Sequence, residues 1–270
     1  MDELVKTVMD KFTPAWGVCS YAPVADKLIA CAKIKDIPDR ATSILVALFP
    51  YYMGRSSYQG SNISAYAAVR DYHEVVSDRL NSAVELLQEA FPGHGFAAFC
   101  DNSPIPEVKA AVEAGLGAYG DNGLLINPKY GSWVFIGEII TSLPLAGKTY
   151  EDEGKSCLNC GECSKHCPTR ALGQAGGFKK EICLSHISQK KGQLTPKEEL
   201  MIKNSASAWG CDICQLVCPM NRGAQINPLT QFSQSFKPHF QAGDEIKGRA
   251  FAWRGREVIE RNLKLIEGRD

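Results

Sequence analysis

Cys157-Leu158-Asn159-Cys160-Gly161-Glu162-Cys163-Ser164-Lys165-His166-Cys167-Pro168 is the stretch on which the reading of the whole chain turns. Its spacing, C-x2-C-x2-C-x3-C-P, is that of bacterial iron–sulfur ligation. Three closely spaced thiolates can wrap one cluster, while the fourth points away to a second. A second run is therefore required. Cys211, Cys214 and Cys218, followed by Pro219, supply C-x2-C-x3-C-P. This run lacks its first cysteine, because Ala208 stands there. Each [4Fe–4S] cluster takes four thiolate ligands, so one ligand is missing, and Cys183 lies between the runs to provide it. The cross-connection rule assigns Cys157, Cys160, Cys163 and Cys218 to one cluster. It assigns Cys167, Cys183, Cys211 and Cys214 to the other.

Composition supports metal over disulfide. The chain holds 11 cysteines in 270 residues, and only Cys19, Cys31 and Cys100 lie outside the dense region. The opening MDELVKTVMD has neither secretory nor transit character, so a cytoplasmic, reducing setting is expected, where disulfides rarely persist. Zinc would take four-cysteine sets built from C-x2-C pairs, and the trailing Cys-Pro is foreign to it. His166 reads as a neighbour of the cluster rather than a ligand, and the three outlying cysteines as small core residues. No run of about 18 apolar residues exists, so no membrane span is expected. Lys plus Arg and Asp plus Glu are 30 each. That balance argues against a broad nucleic-acid surface and leaves room only for a local basic patch.

Before the cysteines, strands and helices alternate. Ser43 to Phe49 is a nearly continuous apolar run, predicted as a strand buried on both faces. Asn62 to Ser64 can start a helix. Val69, Tyr72, Val76, Leu80, Ala83 and Leu87 then mark one face over about six turns. Pro92-Gly93 stops it. Phe96 to Cys100 is a second strand, Pro106 opens a further helix, and Trp133 to Ile140 is a third strand. The segment 115–120 is glycine-rich without the dinucleotide fingerprint. It reads as close packing of backbone against a flat cofactor or as a helix stop. The expected class is α+β, with domains at 1–150 (α/β), 151–230 (clusters) and 231–270 (helical tail). Residues 145–156 read as a polar linker. Residues 240–267 read as one terminal amphipathic helix.

The order of several blocks resembles the epoxyqueuosine reductase family and, more distantly, the reductive dehalogenases. The blocks are 63–67 (ISAYA), 71–73 (DYH), 101–104 (DNSP), 114–117 (AGLG), 124–128 (LLINP), 131–138 (GSWVFIGE), the first cysteine run and 210–215 (GCDICQ). The resemblance implies a nitroreductase-like α/β domain cupping cobalamin, followed by a ferredoxin-like two-cluster domain. It implies electrons passing from the clusters to cobalamin, and loss of an epoxide oxygen as water with uptake of two electrons and two protons. Asp101 matches the family's proton donor. That role asks for a carboxyl pushed above its ordinary value, because an unperturbed Asp is ionised at neutral pH. From the residues alone, Asp101 reads equally as a turn cap. Tyr72, His73, Gly131 and Ser132 are the cofactor-lining candidates.

Departures from the family pattern concern the substrate. Ala65 stands where an Arg is usual, Asp121 where a Lys is usual before Asn122, and DNSP replaces DSGP. Helical repeats that help grip tRNA would begin near Arg256 to Ile266, where this sequence stops. The expected substrate is queuosine-tRNA or a smaller molecule, with a low-potential flavodoxin- or ferredoxin-type electron donor. The alternatives are a non-catalytic electron carrier and a corrinoid-reducing protein.

Overall fold

The computed structural model describes residues 2–147, 157–173 and 177–268. Their contacts divide the chain into two units that interleave along the sequence. The first comprises Met1–Pro50, Tyr72–Gly120 and Leu124–Cys157. The second comprises Tyr51–Asp71, Asp121–Gly123 and Leu158–Asp270. The class is mixed α/β with small sheets.

The first unit is built on a four-stranded antiparallel sheet, in the order β1 (Ala15–Ser20), β2 (Ser43–Pro50), β6 (Val134–Thr141) and β3 (Phe96–Phe99). All eight residues of β2 are buried. Both its edges are paired and both its faces are covered, which is why its sequence does not alternate. Side chains of successive strand residues point to opposite faces. On one face, α4 (Tyr72–Ala90) lies against β3 and β6 and is backed by α1 (Asp2–Phe12). On the other, Ile44, Val46, Leu48 and Ile140 pack with Ala110 and Ala111 of α5 (Glu107–Glu113) and with Ala114, which caps its end. The short helix α2 (Ala22–Ala25) adds Val24 to that cluster. A ribbon of β4 (Ala118–Tyr119) and β5 (Leu125–Ile126) follows α5.

Gly117 settles the glycine-rich segment. Its φ is +154°, and a Cβ there would sit 2.3 Å from the Ile126 carbonyl oxygen. The close backbone approach is to the chain itself. Asn127 stitches the turn, donating from Nδ2 to the Leu116 carbonyl at 2.6 Å and accepting the Lys129 and Tyr130 amides at 3.0 Å.

The second unit contains α3 (Ala65–Ala68), α6 (Glu162–Lys165), α7 (Leu184–Ser188), α8 (Pro196–Ser205), α9 (Ile213–Leu216), α10 (Thr230–Ser233) and α11 (Arg256–Glu267). Its core gathers Trp209, Phe240 and Phe251 with Ile63, Ala67 and Ala68 and the inner face of α11. The Trp209 indole donates to the Tyr66 hydroxyl at 2.8 Å. A capping box of Thr195 and Glu198 starts α8. Asn262 of α11 is fully buried and donates to the Ser188 and Ala208 carbonyls at 2.7 and 2.8 Å.

Two sequence expectations need correction. The helix read from Asn62 onward is broken after Ala68 and restarts at Tyr72. Competing partners break it. The Lys237 amide donates to the Ala68 carbonyl at 2.7 Å, and the Asp71 amide donates to the Gly248 carbonyl at 2.8 Å. Arg249 also donates to the Ala68 and Ser235 carbonyls. The terminal helix begins only at Arg256, because Gly255 adopts φ +94°. The N-terminal helix α1 and edge strand β1 were not anticipated. Most of the segment read as a polar linker lies outside the described residues.

Candidate active site and cysteine centre

Tyr72 and His73 open α4, and Phe135 lies on the neighbouring face of β6. Tyr72 stacks on Phe135 with ring centroids 4.2 Å apart and planes within 9°. It stacks on His73 at 4.0 Å. The result is a flat aromatic wall ending in an imidazole. Asp101 enters from the turn after β3, with its Oδ2 2.9 Å from His73 Nε2. Both side chains are half-exposed. The turn is conformationally costly: Asp101 and Asn102 are both left-handed, at φ +49° and +41°. Lys33 Nζ donates to the Asp101 carbonyl at 3.1 Å. Ser103, rather than Asp101, caps the next turn, accepting the Ile105 amide at 3.1 Å.

This geometry corrects the electrostatic expectation for Asp101. The carboxyl is held below its ordinary value, first by the hydrogen bond from His73. Burial opposes this, and the Asn102 amide and the Tyr72 hydroxyl add to it. The Asp101 carboxyl and the His73 imidazole thus form a hydrogen-bonded pair. Gly131 (φ +60°) and buried Ser132 form the turn leading into β6, a few residues before Phe135.

Beneath the Asp101 turn lie two carboxyls that the sequence alone left without a role. Glu138 is fully buried on the α5 face of β6, and Glu107 starts α5. Burial pushes Glu107 up to about 7, and the Asp101 charge adds to it. Burial likewise drives Glu138 well above the carboxylate range, with Glu107 contributing. Their only sequence signal was a lone glutamate in an otherwise apolar strand.

From Leu158 onward, in the second unit, the two cysteine runs have similar local shapes. Cys163 sits in α6 and Cys214 in α9, each a four-residue helix ahead of a Cys-Pro, and the two helices pack together. The Cys211 thiol faces Cys183 and Cys167, while Cys214 faces Cys211, Cys183 and Cys163. Burial, then neighbouring negative charge, pushes Cys211 up to about 11 and Cys214 up to about 12. Thiols buried together in this way lose their protons only when a bound cation offsets the charge. Cys167 behaves differently: burial pushes it up, but the Leu172, Thr169 and Ala171 amides outweigh that and leave it lowered. The Ala171 amide donates to its sulfur at 3.2 Å. Such donors stabilise cluster-bound thiolates. Among the described residues, no three His, Cys, Asp or Glu side chains gather closely enough for a single metal ion. A four-iron cluster asks for a wider set, with ligands spread over several irons. His166 turns back to the Glu162 carbonyl at 3.0 Å. Cys19 and Cys100 are buried and Cys31 is half-buried.

Comparison with known proteins bears on both regions. Residues 32–102 match the family described as "Epoxyqueuosine reductase QueG, DUF1730", and residues 156–221 match the "4Fe-4S double cluster binding domain". The epoxyqueuosine reductase of Listeria monocytogenes is 35% identical over 211 residues, covering 74% of this chain and 55% of that protein. The chain is thus similar to the epoxyqueuosine reductases in both regions. The solved epoxyqueuosine reductase of Streptococcus thermophilus shares the fold, with a TM-score of 0.77 at 22% identity over 99% of this chain and 80% of that one. An epoxyqueuosine reductase solved with an epoxyqueuosine-modified tRNA stem loop aligns with a TM-score of 0.78, also at 22% identity and the same coverage. The chain spans about half the length of the curated epoxyqueuosine reductases it matches. Ala65 is the position where the resemblance leads one to expect an Arg. Here it is buried, and its amide donates to Asp212 Oδ2 at 2.6 Å. Among the described residues, no helix is long and apolar enough to cross a membrane.

Proposed function

We propose that this chain is an iron–sulfur, cobalamin-dependent reductase that removes the epoxide oxygen of epoxyqueuosine, in tRNA or in a smaller substrate. The observation that carries the reading is the Asp101–His73 pair at the edge of a flat aromatic wall, in a chain similar to the epoxyqueuosine reductases. The first unit acts as the nitroreductase-like cobalamin domain, and Tyr72, His73, Gly131 and Ser132 line it. The planar Tyr72–Phe135 stack suits a flat macrocycle. Cys157, Cys160, Cys163 and Cys218 hold one cluster, and Cys167, Cys183, Cys211 and Cys214 the other. The facing thiols of the second set and the amide donors around Cys167 support that assignment. When bound, the clusters supply single low-potential electrons, drawn from a flavodoxin- or ferredoxin-type donor, and cobalamin supplies a strongly reducing centre.

The chain's own residues handle protons. The overall change consumes two electrons and two protons, breaks both C–O bonds of the epoxide, and yields an alkene and water. His73 Nε2 holds a proton against the Asp101 carboxylate and delivers it to the departing oxygen. Half-exposure of both side chains lets solvent reload the pair for the second proton. The left-handed Asp101 turn aims the carboxylate, and the aromatic wall excludes water from the other side. A solved family member from Bacillus subtilis is described with an aspartate-bearing catalytic loop swung out of its active site. This is consistent with a mobile proton-delivering turn.

The test is anaerobic reconstitution with iron, sulfide and cobalamin, followed by reductant and an epoxyqueuosine-modified tRNA stem loop or the free nucleoside. Conversion to the deoxygenated product, read by mass spectrometry, is expected. Reduced clusters and bound corrinoid without conversion of either substrate would refute the reading.

A further inference from the structure

The Asp101 turn asks for support from outside itself. Asp101 and Asn102 are consecutive, neither is glycine, and both are left-handed, at φ +49° and +41°. Such residues persist only where their surroundings hold them. Hydrogen bonds reach the turn from two directions. On the α4 side, His73 Nε2 lies 2.9 Å from Asp101 Oδ2. On the other, one distant segment makes two bonds: the Ile29 amide donates to the Pro104 carbonyl at 2.8 Å, and Lys33 Nζ donates to the Asp101 carbonyl at 3.1 Å. That segment is itself fixed. Leu28 and Ile37, on either side of Lys33 in the chain, pack against the α5 face of the core. Lys33 sits in a short 3₁₀ turn, Ala32–Asp36, closed by the Ile34 amide on the Cys31 carbonyl at 3.2 Å. On this turn Lys33 is half-buried, whereas Lys35 is exposed.

The Lys33 bond has a directional consequence. The Asp101 carbonyl and the Asn102 amide share one trans peptide plane, so they point opposite ways. Holding the oxygen toward Lys33 turns the amide away from it, and that amide favours the ionised Asp101 carboxyl. An ammonium suits the task, because a charged donor makes a hydrogen bond roughly twice as strong as a neutral one. We propose that Lys33 is a positioning residue for Asp101: its bond to the Asp101 carbonyl fixes the peptide plane that sets the carboxyl against His73. The inference rests on the function proposed above, where Asp101 and His73 handle protons. Lys33 acts through the backbone of the turn rather than on a substrate.

Hydrogen exchange, read by mass spectrometry on the reconstituted full chain, tests the hold without requiring turnover. In Lys33→Met, exchange at residues 100–105 and at Ile29 should quicken by about tenfold, as the turn opens more often. Lys33→Arg, which keeps a charged donor, should restore the slower exchange. Lys35→Met loses the same charge from the same turn and should leave exchange unchanged. Unchanged exchange in Lys33→Met overturns the proposal, as does equal quickening in Lys33→Met and Lys35→Met. Turnover separates positioning from general support. Lys33→Met should lower kcat by about tenfold or more with KM little changed. In an Asp101→Asn background, the same substitution should add little further loss, because both changes act on one group. A full additional loss there overturns the proposal, since Lys33 would then act by another route. Failure of wild-type turnover on either epoxyqueuosine substrate would strike the proposed function alone, because the exchange rates would still decide whether Lys33 holds the turn.

Discussion

Replacing Glu107 by Gln should change how stability depends on pH in a definite direction. A carboxyl whose value rises on folding binds a proton more tightly in the native state. The stability it confers is complete below the unfolded value, near 4.5, and is lost as pH rises through about 7. That interval corresponds to about 3 kcal/mol, a sizeable part of the roughly 5–15 kcal/mol typical of a folded domain. The loss belongs to the Glu107–Glu138 pair as a coupled unit. Glutamine cannot ionise, so the variant should lack most of this slope while keeping a side chain of similar shape. Anaerobic urea unfolding of both proteins, at several values from about pH 5 to about pH 8, measures it. Taking the difference between the two proteins at each pH cancels the clusters' own contribution. Stability of the wild type relative to the variant should decline across this range. A constant difference would refute the reasoning, because Glu107 would then titrate alike in the folded and unfolded chain.

Further outcomes are specific to single residues. Asp101→Asn should leave iron content and corrinoid binding intact while cutting turnover by about a hundredfold or more; unchanged turnover removes the Asp101–His73 pair from proton delivery. Cys183→Ala should reduce iron by about half, as one of the two four-cysteine sets loses a member; full iron content would show that another residue completes that set. Arg249→Ala should cost roughly 2–3 kcal/mol in urea unfolding, since the Ala68 and Ser235 carbonyls lose their guanidinium donor. A loss below about 0.5 kcal/mol would mean that water or the Lys237 amide satisfies them.

Much of the cofactor chemistry was legible because ligand spacing is a local property. Four thiolates within eleven residues need little else from the fold, so the runs at Cys157 and Cys211 could be read directly. The strand at Ser43 was equally plain, because burial on both faces forces an unbroken apolar run. The segment from Tyr51 to Asp71 was not. Its apolar spacing continues smoothly into α4, yet its carbonyls and amides are claimed by residues 237–249, far along the chain. No local pattern records that competition. Asp101 shows the same limit in its chemistry. Sequence could nominate the carboxyl, but its state depends on His73, which lies 28 positions away and is brought to 2.9 Å only by folding.

Residue order was enough to point to a 4Fe-4S double cluster region, an α/β region ahead of it, and a resemblance to the epoxyqueuosine reductases. Three things waited for the folded chain: which unit each segment joins, that His73 lies against the Asp101 carboxyl and holds it below its ordinary value, and that burial raises Glu107 and Glu138. Spacing along a chain fixes what neighbouring residues can grip together. Burial and charge between distant residues exist only once the chain has folded, and they set the proton affinities on which the chemistry depends.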